Sequence, residues 1–192
     1  MLDPYKEIES FFSGNSLGEY RKDLKHWFRA ALIEHVSVKH SSTIVYFHDQ
    51  LVQLLHAGYL IVNKNLEYKR NEAYCSNALT FRDWINGVKA KRELEKGVPT
   101  SDFEVYALND KEKLAPLQYL SKILKLKTIK YIRYDMQEWL YCALSNRSSL
   151  MGIDDKYILK LYETLEKLLE AFFLLIAGNE VKAELNEERQ TL

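Results

Sequence analysis

Apolar residues recur at helical spacing through most of the chain. In 17–36, Leu17, Tyr20, Leu24, Trp27, Phe28 and Ala31 fall on one stripe. In 43–62 the stripe is Ile44, Phe47, Leu51, Leu54, Leu55 and Gly58, and in 154–178 it is Ile158, Leu161, Leu165, Leu168 and Phe172. Each keeps the 3.6-residue period of a helix with one buried face. Local signals set the boundaries. Asp3 is a good N-cap with Pro4 at the first helical position, and "SGN" at 13–15 stops that short helix. Ser16 with Glu19 three residues on forms a capping box before the second helix.

The pattern repeats. Shifting the chain by 112 residues lays Leu2–Leu32 on Leu114–Leu144 without a gap. Seven of the 31 positions are then identical: Leu2/Leu114, Pro4/Pro116, Arg21/Arg133, Asp23/Asp135, Trp27/Trp139, Ala31/Ala143 and Leu32/Leu144. With two more residues in the second copy, "LLHAGYLI" (54–61) matches "LLEAFFLL" (168–175), so each copy spans about 60 residues. In the second copy Thr128 takes the capping position of Ser16, which predicts helices over 129–146 and about 154–178. A fixed-period match of this kind marks a duplicated supersecondary unit.

The expected fold is therefore all-α: two copies of a three-helix unit packed as a pseudo-twofold bundle, with a linking helix over 78–96. The copies take 1–62 and 110–178, with 63–109 linking them and 179–192 a charged tail, all in one compact domain. "DFEVYAL" (102–108) is expected as an extended linker, with at most a short β-ribbon as the alternative, pairing it with 59–62 or 66–70, where "YLIVNKNLEYK" would turn at Asn63 and Asn65.

Composition supports helices and narrows the function. The chain has 192 residues, 47% apolar and 28% charged, with seven Gly and three Pro. Its 27 basic and 27 acidic side chains cancel, so contact with nucleic acid or an anionic surface requires a local patch. Cys75 and Cys142 stand far apart, as reduced thiols of a cytoplasmic protein do. The start reads as no signal peptide, and the longest apolar run, Ala171–Ala177, has seven residues, so no membrane partner is expected.

Candidate chemistry centres on "RKDLKHWFRAAL" (21–32). Arg21 and His26 have the Arg-x4-His spacing of some all-helical ribonucleases, and Asp23 and His26 sit three apart, as ligands of one metal on a helix do. At ~100° per residue, however, His26 lies about 160° from Leu24 and points to solvent, while Arg21 and Asp23 flank the buried stripe. The second copy keeps Arg133 and Asp135 but has Glu138 in place of His26. The shared residues read as helix-packing anchors, with the arginines and aspartates pairing across the copies. A di-metal set of Asp23, His26, His56, Asp135, Glu138 and Glu170 fails on the same wheel, because His26 and His56 point outward. Of the five histidines (26, 35, 40, 48, 56), only His35 projects onto an apolar stripe, with His40 and His48 as its neighbours. No metal site and no cofactor are expected, and no phosphate loop, Cys-x2-Cys pair or nucleophile elbow occurs.

Two features point outward. Lys122, Lys125, Lys127 and Lys130 belong to an acid-free stretch running from Lys113 to Tyr134, a candidate anion patch. Tyr131, Tyr134 and Tyr141 lie opposite the core of the 129–146 helix, where the first copy has Glu19, Lys22 and Arg29. They are expected to be covered by the linking helix or by a protein partner, a second subunit included. The expected function is thus a non-enzymatic helical interaction or adaptor protein. The alternatives are a winged-helix-like nucleic-acid-binding regulator, with Leu51–Gly58 as recognition helix and "NKNLEYKR" as wing, and a helical ribonuclease built on Arg21 and His26.

Overall fold

Asp3 begins the first helix as the spacing predicts. Its carboxylate accepts the Tyr5 N–H at 3.0 Å, and α1 runs Pro4–Gly14. The structure, a computed structural model, describes residues 3–33, 41–67, 103–145 and 155–190, with side chains of the last segment described from Lys156 to Gly178. The linking helix expected at 78–96 lies outside the described residues, as do His35, His40 and Cys75.

The capping box at Ser16 is formed in both directions: the Glu19 N–H donates to Ser16 Oγ at 3.2 Å, and the Ser16 N–H donates to the Glu19 carboxylate at 2.9 Å. It opens α2, Leu17–Leu32. Helix α3 is Ser41–Lys64, α4 Asp110–Leu114, α5 Pro116–Ile123, α6 Leu126–Ser145 and α7 Asp155–Gln190. Among the described residues there are helices and no strand.

Three boundaries differ from expectation. Helix α3 continues through Val62 and Asn63 and stops where Asn65 takes φ 47°, with the Leu66 N–H returning to the Ile61 carbonyl. Asparagine tolerates the left-handed conformation and so ends a helix here, which leaves no room for the alternative hairpin turn at Asn63 and Asn65. Helix α6 starts at Leu126, which puts Thr128 inside its first turn and removes it as a cap. Helix α7 runs to Gln190, so residues 179–190 of the charged tail continue the helix of the preceding residues.

Trp27 and Trp139 meet edge to face at the centre, centroids 5.8 Å apart, where α2 packs on α6. Helix α1 packs on α3, and α5 on α7. Helix α7 also lies against α1 and α2, and α3 against α5 and α6. Phe12 contacts Phe173, and Phe28 contacts both Trp139 and Tyr162. The Tyr20 hydroxyl donates to the Phe11 carbonyl, tying α2 to the end of α1.

Gly58 marks the closest helix approach in this core. A Cβ there would lie 2.4 Å from the Phe172 ring and 2.7 Å from Leu124 Cδ1, and both neighbours are fully buried. Alanine would gain about 1 kcal/mol of helix propensity, but overpacking against groups with nowhere to go costs about 1–3 kcal/mol. Gly58→Ala is therefore expected to lower the thermal midpoint, and an unchanged or raised midpoint would show that Phe172 can move aside.

Candidate functional site

Arg21 flanks the core on the sequence wheel, yet it is 6% exposed, and what holds it is Glu170 of α7, 0% exposed. Nη2 of Arg21 donates to Glu170 Oε1 and to the Glu104 carbonyl at 2.7 Å, and its guanidinium carbon lies 4.1 Å from the centre of the Tyr106 ring. The same carboxylate accepts three consecutive backbone N–H groups: Tyr106 and Ala107 at 3.0 Å on Oε1, and Leu108 at 2.9 Å on Oε2. Glu166, one turn earlier on α7, lies 4.0 Å from Arg21 Nε and accepts the Tyr106 hydroxyl at 3.1 Å.

The stretch expected as an extended linker is thus a strap. Phe103 and Leu108 bury their side chains at its two ends, and its middle closes around a buried ion pair. Burying two charges is tolerable when the pair is close and the remaining lone pairs are satisfied, and this carboxylate has four donors. Both groups are thereby committed to the fold. Burial pushes the Tyr106 phenol up, against the pull of Arg21, and pushes Tyr162 up to about 12 with Glu166 contributing.

His26 stands on the exposed side of α2. The two members of the Arg-x4-His pattern are separated between interior and solvent, so the pattern builds no paired site. Asp23 is half-buried, and its carboxyl is raised by that burial and by Glu19, with His26 opposing. Arg133, the counterpart of Arg21, is exposed, and Glu138 is half-buried. Asp135 accepts the Tyr157 hydroxyl at 2.6 Å, a bond that together with burial pushes the phenol up to about 12. The arginines and aspartates do not pair with one another across the bundle as expected: Arg21 takes Glu170, and Asp135 takes Tyr157.

His48 is the histidine that reaches the described core. It sits edge-on to Trp27 at 5.7 Å, with Nδ1 2.9 Å from Asp49 Oδ1. His56 is exposed. No group of three or more potential ligands converges on a metal site among the described residues.

The outward features occupy one helix and the turn before it. Tyr131, Tyr134 and Tyr141 are 55%, 63% and 57% exposed along α6. Lys122, Lys125, Lys127 and Lys130 are all exposed, from the end of α5 into the first turns of α6. Of the winged-helix arrangement, residues 68–70 of the wing lie outside the described residues. Leu51, Leu54, Leu55, Ala57 and Gly58 are buried in the middle of α3, and the first two residues of the supposed wing, Asn63 and Lys64, still belong to that helix.

Glu170 is the residue whose role the wheel missed. Its signal was partial: in "LLEAFFLLI" (168–176) it is the one polar side chain, with Phe173 and Leu174 at the next helical spacings, but Glu166 and Lys167 one turn earlier give it the look of a solvent-facing acid. Comparison with protein-family models, with curated proteins and with solved structures gives no match.

Proposed function

We propose that this chain is a non-enzymatic, cytoplasmic helical interaction protein, and that the tyrosine face of α6 is its contact surface. The observation that carries the reading is the exposure of Tyr131, Tyr134 and Tyr141, which sit at spacings of three and seven on one side of a helix. Tyrosine suits this work: it offers a large rigid apolar ring and a hydroxyl that stays hydrogen-bonded when covered. Tyr157 of α7, 46% exposed and bound to Asp135, lies beside the same face.

The bundle that presents this face is, on this reading, a duplicated three-helix unit with pseudo-twofold packing. The packing of α1 on α3 is matched by that of α5 on α7, and the contact of α2 with α7 by that of α3 with α6. The contact of α2 with α6 maps onto itself, with Trp27 against Trp139. The two halves then differ where one of them works outward: Glu19, Lys22 and Arg29 in the first, three tyrosines in the second.

Light scattering and native co-purification of the parent beside Tyr134→Glu test the contact surface. The parent is expected to run as a dimer or with a bound protein, and the variant to lose it while its circular dichroism is unchanged. An unchanged mass together with unchanged partner retention would remove this face as the interface.

A further inference from the structure

The region from α4 to the start of α6 carries a second surface. Leu114, Leu117 and Leu126 are 87%, 41% and 56% exposed, and the exposed Lys122, Lys125, Lys127 and Lys130 run between and beyond them. No acid occurs from Lys113 to Tyr134. The nearest preceding carboxylate, Glu112, is already engaged: it closes the α4 capping box with Asn109 and is bound by Lys167 at 3.1 Å.

In the register that matches Leu2–Leu32 to Leu114–Leu144, this surface is an addition. Lys122, Lys125, Lys127 and Lys130 stand where the earlier segment has Ser10, Ser13, Asn15 and Gly18, and Leu126 stands where it has Gly14. The earlier segment also forms two successive helices, with none of these side chains at the matching positions.

We propose that this exposed stretch, from Leu114 to Lys130, is a docking surface for an anionic lipid bilayer. Lysines attract a surface of negative headgroups, and exposed leucines beside them gain by entering the acyl boundary. The leucines select the partner class. Phosphates of a nucleic acid satisfy the lysines equally well but give three protruding aliphatic side chains nothing to enter. No helix of the described residues is long and apolar enough to cross a membrane, and contact of this kind needs none. The expectation of no membrane partner is revised only to that extent.

The test is co-sedimentation of the full chain with vesicles of phosphatidylcholine alone and with phosphatidylserine added. Binding is expected only to the anionic vesicles. Each lysine near the surface contributes about a fivefold factor, so Lys125→Gln/Lys127→Gln should weaken binding about 25-fold. Leu114→Ser/Leu126→Ser keeps every charge and should also weaken it by tenfold or more. All four positions are exposed, so circular dichroism should not change. Two results would overturn the proposal: no binding to anionic vesicles at low salt, or binding that the leucine variant leaves intact while duplex DNA competes for the same lysines. Tyr141→Ser, which adds no charge and lies eleven residues beyond Lys130 on α6, is expected to leave vesicle binding unchanged, so this surface and the tyrosine face can fail separately.

Discussion

Glu170→Ala is expected to cost about 3–5 kcal/mol of folding stability, the range for stranding one member of a buried ion pair. The Arg21 guanidinium would keep its burial and lose its carboxylate, and the N–H groups of Tyr106, Ala107 and Leu108 would lose their acceptor together. In a domain of this size the thermal midpoint should fall by about 10–15 °C. The two contributions separate in a further variant. Arg21→Met/Glu170→Leu removes both charges with similar volume, which is often neutral for an isolated pair. Here it should recover only part of the loss, because the strap's three N–H groups remain without an acceptor. Urea unfolding followed by circular dichroism measures all three proteins. A cost below about 1 kcal/mol for Glu170→Ala would mean that water replaces the carboxylate and that the strap is not clamped.

The strap also shows why part of the fold was legible in the sequence and part was not. Asp3 with Pro4, and Ser16 with Glu19, act within one helical turn, so short-range chemistry placed the starts of α1 and α2 correctly. The periodic stripes likewise identified the buried faces of α2, α3 and α7. Arg21 was misjudged because its partner lies 149 residues away, and a helical wheel contains only the residues of its own helix. The β-ribbon, the alternative to an extended linker, is absent among the described residues for a related reason. The alternating apolar residues of "DFEVYAL" do signal extended backbone, but its N–H groups are taken by a side-chain carboxylate, leaving no ladder to form. Asn63 and Asn65 are turn residues, yet α3 ends in the left-handed Asn65 and the chain after it returns to α1, where the Tyr5 hydroxyl donates to the Leu66 carbonyl at 3.0 Å. Lysines and tyrosines on the outside were visible from the wheel, since exposure is what a missing apolar neighbour predicts. Which of them meets a partner depends on surfaces beyond the chain.

The largest side chains of the core carry the other large effect. Trp27→Ala and Trp139→Ala should each cost about 3–5 kcal/mol, because both rings are at most 2% exposed and their removal opens a cavity at the crossing of α2 and α6. The rings touch, so the double variant should cost less than the sum, with a coupling on the order of 1 kcal/mol. Substitution by phenylalanine distinguishes the two positions. Trp27 Nε1 is buried without a hydrogen-bond partner, an arrangement that costs about 1–3 kcal/mol, whereas the Trp139 nitrogen is not stranded in this way. Trp27→Phe loses ring volume but also removes the stranded donor, and the two changes should nearly cancel. Trp139→Phe has only the loss, and is expected to be destabilised by about 1–2 kcal/mol. Equal costs for the two phenylalanine variants would show that the Trp27 donor is satisfied in solution, by a water between α2 and His48 of α3.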